Sequence, residues 1–246
     1  MTPLTTIAET YPYLLLCFFE VLLFFACILF SAEQRRPMLL SALLFTPSAL
    51  SAIILVPGYW KPKLFWDLIV GVEDVIFCFV NGGIVWFVSA YFIKDRLLLP
   101  GKFRPLMKRY IKYTLYGTII YYALFLLGFG SLWSTFGGLY LLGLMLLYTQ
   151  RRLWPFALWG TGTFLAIYCL MLRLMFSSWP HFIRQWNLPS LSGFIFGLPV
   201  EELVWALGFG FTWPLFMAHV FDVRVRPSSQ TMFNPITPIP RERSLR

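Results

Sequence analysis

The sequence predicts an all-α fold, a polytopic membrane bundle of about seven transmembrane helices built as two parallel three-helix repeats plus a linking helix. Three observations predict it. Hydrophobic residues make up 59% of the chain and charged residues only 13%, against roughly 25% charged in a soluble domain. Apolar runs close to the ~20 residues needed to cross a bilayer recur along the chain. A short acidic segment embedded in such a run occurs twice, with two apolar runs before each copy.

In chain order the spans are expected near residues 11–31, 38–56, 66–93, 111–130, 133–149, 153–176 and 196–220. The N-terminal stretch MTPLTTIAETYPYLLL has neither the basic n-region nor the small-residue cleavage site of a signal peptide, so its first apolar run is read as a permanent span. The fourth and fifth spans are separated by GFGSLWSTFGG (Gly128 to Gly138), whose glycines and serines indicate a tight uncharged turn. The domains expected from this reading are 1–95 (first repeat), 96–131 (basic loop and linking helix), 132–222 (second repeat) and 223–246. The last, from Pro227, is rich in proline and poor in apolar residues and is expected to be disordered.

The net charge of +9 is distributed as an orientation signal and not as a nucleic-acid footprint. Arg35 and Arg36, then Lys94, Arg96, Lys102, Arg104, Lys108, Arg109 and Lys112, then Arg151 and Arg152, then the arginines of the tail occupy alternate connections. The intervening connections carry only Lys61, Lys63 and Arg184. That bias predicts an outside N-terminus, a cytoplasmic C-terminus and a location in the plasma (inner) membrane. The partners expected are membrane lipid and an apolar ligand, with no nucleic acid. Cys17, Cys27, Cys78 and Cys169 lie inside apolar runs without paired metal or redox spacing, and are read as small buried apolar residues.

The repeat centres on carboxylates. GVEDVIFCFVNG (Gly71 to Gly82) aligns without a gap on PVEELVWALGFG (Pro199 to Gly210), setting Glu73 on Glu201, Asp74 on Glu202 and Gly82 on Gly210. Tyr59-Trp60 precedes the first pair much as Gln185-Trp186 precedes the second. Helical rise from Trp66 puts Glu73 about 10 Å into the membrane, with Glu201 at a similar depth. Glu20 in the first span and Arg173 in the sixth fall in the same outer half. A charge facing lipid costs about 2.5–3.5 kcal/mol even on the lenient insertion scale, so these groups are expected to converge inside the bundle. Adjacent helical residues point about 100° apart. Glu73 and Glu201 are therefore expected to face a central cavity, with Asp74 and Glu202 held by hydrogen bonds or by Arg173. Asn81 with Gly82 and Gly83 is expected to allow close helix contact. Glu20 has an equally plain reading as an interhelical hydrogen-bond donor.

These elements resemble the lycopene cyclase domain family, the flavin-independent, membrane-type carotenoid cyclases built from two small three-span domains. The resemblance covers most of residues 10–222. It is carried by LPVEE (Leu198 to Glu202), the weaker GVED (Gly71 to Asp74) and the Tyr-Trp and Trp-Asn elements before them. The first unit departs from the family pattern in having Gly-Val-Glu-Asp where Pro-Ile-Glu-Glu or similar is usual. The resemblance implies the fold and a carotenoid-like or isoprenoid ligand more strongly than it implies lycopene itself.

The chemistry expected is acid-initiated: protonation of a terminal alkene, cyclisation through a tertiary carbocation, and loss of a proton. Burial in an apolar cavity favours a neutral carboxylic acid, a second carboxylate can act as base, and aromatic faces stabilise the cation. The catalytic candidates are Glu73, Asp74, Glu201, Glu202 and Glu20; the substrate-contacting candidates are Phe77, Trp205, Trp213, Asn81 and Arg173. Phe77, Trp205 and Trp213 lie on the acidic spans, along with Trp86 and Phe209. No glycine-rich dinucleotide fingerprint is present, so no cofactor is expected, and no metal. Two other readings compete: a non-catalytic carotenoid-binding or assembly protein, and a small transporter. Against the transporter stand the absence of evident broken helices and the scarcity of polar residues in the spans.

Overall fold

The computed structural model describes residues 9–66, 68–99 and 105–225. Lys102, Arg104 and the tail from Pro227, all part of the reading above, lie outside the described residues. Seven principal helices follow one another: α1 (Pro12–Phe30), α2 (Arg35–Phe45), α3 (Val72–Tyr91), α4 (Leu106–Leu126), α5 (Ser131–Thr149), α6 (Trp154–Ser178) and α7 (Val200–Phe221). The protein is all-α apart from two-residue strands. Among the described residues, six stretches are long and apolar enough to cross a membrane: α1, Ala32–Leu55 (which contains α2), α3, Arg151–Ser178 (which contains α6), α5 and α7. The chain is accordingly a multi-pass membrane protein. α4 falls outside these six because its first two turns carry Lys108, Arg109 and Lys112.

α3 and α7 form the centre, each 72% buried over its apolar window against 33% for the other spans. α1 and α2 pack on α3, α5 and α6 pack on α7, and α3 also touches α6 and α7. Glycine permits the tightest of these approaches. A Cβ on Gly82 of α3 would lie 2.5 Å from the Cβ of Phe45 and 3.1 Å from the Ser41 carbonyl of α2. One on Gly210 of α7 would lie 3.0 Å from the Gly160 carbonyl and 3.4 Å from the Cβ of Phe164 of α6. α4 lies at the periphery, with only Leu106 buried.

The second span is not a continuous α-helix. After Phe45 it tightens into a 3-10 segment, Thr46–Ser51, and ends in a short helix, Ala52–Leu55. Pro47 lacks the N–H that would bond the Leu43 carbonyl and continue the ladder, and just before it the Thr46 hydroxyl joins the Thr46 N–H in donating to the Ala42 carbonyl, at 3.1 Å. The sequence reading, which saw no broken helix, is corrected here.

The two ends of the bundle differ in charge. At one end the α1–α2 turn, the end of α3, the start of α4, the α5–α6 turn and the end of α7 meet. β1 (Leu97–Leu98) pairs antiparallel with β4 (Arg224–Val225), and Arg109 donates to the Val220 carbonyl at 2.8 Å and pairs with Asp222 at 3.5 Å. At the other end, irregular chain precedes α3 and α7. There β2 (Phe194–Ile195) and β3 (Leu198–Pro199) form a hairpin whose two turn residues, Phe196 and Gly197, both have positive φ, as a tight hairpin turn of this length demands.

Candidate functional site

Both acidic pairs sit in the first turn of their helix, Glu73 and Asp74 in α3 and Glu201 and Glu202 in α7. The depth inferred from helical rise therefore does not apply, because residues 61–66 and 68–71 are not helical. The first turn suits carboxylates for two reasons. Its backbone N–H groups lack intrahelical acceptors, and the helix dipole is positive there. Asp74 illustrates the first reason: its Oδ2 accepts from the Gly71 N–H at 2.8 Å.

The two acids of each pair part company. Glu73 is fully buried and turns back onto the preceding chain, where Oε1 accepts from the Phe65 N–H at 2.6 Å. Glu201, equally buried, does the same with the Ser192 N–H at 2.6 Å. In both, Oε2 is buried without a hydrogen-bond partner. These two acids clamp the loops that enter α3 and α7. The expectation that they face the cavity is overturned: at each helix start it is the next residue, Asp74 or Glu202, that turns inward.

Asp74 and Glu202 line one cavity of about 140 Å³. Its walls come from α1 (Tyr13, Leu16), the 3-10 and short helical end of the second span (Ser48 to Leu55), α5 (Leu132, Thr135, Phe136), α6 (Tyr168, Leu172) and the aromatic faces of Phe77 and Trp205. The rings of Phe77 and Trp205 are 5.7 Å apart. The end away from the basic loops is closed by the two loop tryptophans: Trp60 and Trp186 form an antiparallel bridge, their rings 5.5 Å apart. Lys61 N–H donates to the Gln185 carbonyl at 2.6 Å and Asn187 N–H to the Tyr59 carbonyl at 2.9 Å. The loops singled out by the Tyr-Trp and Gln-Trp elements thus bind each other directly.

The carboxylates differ in company. Glu202 accepts from the Tyr59 hydroxyl at 2.5 Å, the Tyr168 hydroxyl at 2.5 Å and the Trp186 Nε1–H at 2.7 Å. An indole can only donate, so this set of partners is completed by an acceptor-only carboxylate. Asp74 accepts from the Tyr13 hydroxyl at 3.1 Å besides its bond from Gly71. Sequence reading missed Tyr13, Tyr59 and Tyr168. Tyr59 could have been found from its place in the repeated element, whereas Tyr13 and Tyr168 carry no signal in a chain with 26 Phe, 12 Tyr and 10 Trp.

The remaining candidates lie elsewhere. Glu20 is buried and accepts from Asn81 Nδ2 at 3.0 Å, an interhelical bond between α1 and α3. Neither residue lines the cavity, which corrects the substrate role expected for Asn81. Trp213 also lies outside the lining, its Nε1–H donating to the Ser41 hydroxyl at 3.0 Å and so joining α7 to α2. Arg173 is exposed on α6, with its guanidinium against Gly197 of the hairpin and not against an acid. Among the described residues no group of three or more His, Cys, Asp or Glu side chains is arranged to hold a metal ion.

Burial, reinforced by the Glu202 carboxylate, pushes the Tyr59 phenol far above its ordinary range. A phenol whose folded-state pKa is raised contributes stability that is complete below about pH 10, the ordinary tyrosine value, and is lost as pH rises beyond it. The fall in melting temperature between pH 9 and pH 11 is therefore expected to be smaller in Tyr59→Phe than in the native chain. An identical fall in both would remove this account of Tyr59.

The chain matches no family model, no curated protein and no solved structure. The motif resemblance thus stands alone beside the cavity and its two carboxyl groups.

Proposed function

We propose that the protein is a cofactor-free isomerase that cyclises the end of an apolar isoprenoid, in the manner of the membrane-type carotenoid cyclases its motifs resemble. One observation carries the reading: two carboxyl groups, Asp74 and Glu202, one from each acidic pair, line the same aromatic cavity. In the proposed reaction the neutral acid, Asp74, gives its proton to a terminal C=C bond. The tertiary cation is attacked by a neighbouring double bond of the same chain, closing a ring. A proton adjacent to the new cation then passes to the Glu202 carboxylate, and proton return to Asp74 resets the site. Atoms and electrons balance without a redox partner. Phe77 and Trp205 offer their faces to the cation.

The cavity size limits what enters. About 140 Å³ is close to the ~150 Å³ of a cavity that holds one benzene molecule. An end group the size of one ring fits, and the remainder of a polyene must extend outside. The broken end of the second span supports entry from the lipid, since its small residues Ser48, Ala49, Ser51 and Ala52 form the wall opposite α6 and α7.

The architecture proposed with this function has seven spans, α4 being the linking helix between two parallel three-helix repeats. Its support is the recurrence of the same contacts: Glu73 with Phe65 and Glu201 with Ser192, Gly82 with Ser41 and Phe45, and Gly210 with Gly160 and Phe164. The orientation proposed puts the basic end of the bundle in the cytoplasm and the cavity toward the outside of the plasma membrane. The test is expression in lycopene-accumulating cells with analysis of extracted isoprenoids. A cyclic product of unchanged mass is expected. Unaltered lycopene that copurifies with the folded protein would instead establish the non-catalytic binding role.

A further inference from the structure

A second cavity opens at the basic end of the bundle, distant from the acids and unused by the chemistry above. It has a volume of about 570 Å³ and is lined by Arg35, Arg36, Leu39, Leu40 and Leu43 of α2 and by Leu106 and Met107 at the start of α4. That volume is within the roughly 300–1,000 Å³ of small-molecule sites and about four times the outer cavity.

Its chemistry is divided by position. Along α2, Leu39 and Leu43 are exposed on the bundle's outer surface, so the deep wall is aliphatic and open to acyl chains. At the mouth stand two arginines. Arg35 is held in place: its Nε–H donates to the Ile28 carbonyl at 2.9 Å, satisfying an acceptor left over at the end of α1. That bond fixes the guanidinium plane while its Nη groups retain donors in the fork geometry that suits a phosphate. The first turn of α4 faces the same space, and no side chain caps its N-terminus, so its dipole adds positive potential there. An apolar wall beside the positioned Arg35, with Arg36 next to it, selects an amphiphile with an anionic head.

We propose that this groove is a binding site for an anionic phospholipid, its phosphate on Arg35 and Arg36 and one acyl chain along Leu39, Leu40 and Leu43. The site would tie α4, which is otherwise peripheral, to the second span.

The test is native mass spectrometry of the full chain extracted in a neutral detergent and titrated with phosphatidylglycerol, phosphatidylcholine or inorganic phosphate. Retention of phosphatidylglycerol at least tenfold above phosphatidylcholine is expected. Two variants should each abolish the preference: the double substitution Arg35→Gln with Arg36→Gln, which removes the charge, and Leu43→Trp, which fills the groove and leaves the charge. All three residues are exposed, so folding should persist, and an unchanged helical circular dichroism signal checks it. Equal retention of both lipids, or an undiminished preference in either variant, overturns the proposal. So does full competition by inorganic phosphate alone, which would mark an adventitious ion only.

Discussion

Asp74→Asn and Glu202→Gln are each expected to lower formation of cyclic product by a hundredfold or more, in the range of ~10²–10⁴ that positioned general acids and bases contribute. Glu73→Gln and Glu201→Gln are expected to leave turnover within a few-fold of native. The contrast follows from what each acid touches. A glutamine at position 73 or 201 keeps a carbonyl oxygen to accept the Phe65 or Ser192 N–H. Its amide nitrogen would replace an Oε2 that already lacks a partner, costing stability of about 1–3 kcal/mol for the unsatisfied group but no proton at the reacting carbon. A glutamine at 202 keeps its carbonyl oxygen toward Tyr59 and Trp186, but its amide then meets the buried Tyr168 hydroxyl, which must turn from donor to acceptor. Loss of folding could therefore mimic loss of chemistry in that variant. Tyr168→Phe separates the two: it removes one donor to Glu202 without introducing a conflict, and should lower turnover while the protein stays monodisperse in detergent. Isoprenoid analysis of expressing cells reads all five variants. Activity lost in Glu201→Gln and kept in Glu202→Gln would reverse the assignment.

The doubled acids were legible in the sequence because carboxylates are scarce there, with 11 Asp and Glu in 246 residues, and the cost of burying them makes each one informative. Which acid of a pair faces the cavity was not legible. That choice depends on where the helix begins, and one residue changes the direction by about 100°. The segments before α3 and α7 contain Leu64, Phe65, Trp66, Leu68 and Ile69, and Phe194, Ile195 and Phe196. Their composition is that of a span, yet their backbone is irregular, since hydropathy reports apolarity and not dihedral angles. The third span was consequently started six residues early. Pro47, a helix breaker, went unread, and the 3-10 segment that contains it forms a cavity wall. The basic loops were read directly, and the alternation they show corresponds to the charge difference between the bundle's two ends. Arg173 was drawn toward the acids by charge alone, whereas a long side chain on an exposed helix face reaches the nearest irregular backbone instead.

Gly210→Ala and Gly82→Ala test whether the two central helices are seated by equivalent contacts. A methyl group at 210 would meet the Gly160 carbonyl and the Thr161 Cα, both at 3.0 Å. These are backbone atoms of α6, so no rotamer change relieves the crowding and the two helices must separate. At 82 the methyl would meet the Cβ of Phe45 at 2.5 Å and the Ser41 carbonyl at 3.1 Å, again atoms fixed to the backbone of α2. Overpacking of this kind costs about 1–3 kcal/mol, less the ~1 kcal/mol by which alanine exceeds glycine as a helix former. At Gly117 of the peripheral α4, where the nearest atom is a flexible Leu142 methyl at 3.3 Å, the same substitution should be neutral or stabilising. The expected order of melting temperatures in detergent is therefore Gly117→Ala at or above native, and both Gly210→Ala and Gly82→Ala below it. Separation of α2 from α3 would also displace the Trp213 indole, which donates to the Ser41 hydroxyl beside this contact. Gly82→Ala should accordingly shift tryptophan fluorescence as well as stability. A Gly82 variant as stable as native, with Gly210→Ala destabilised, would mean that α2 is loosely held against α3. The equivalence of the two helix triplets would then fail at its closest contact.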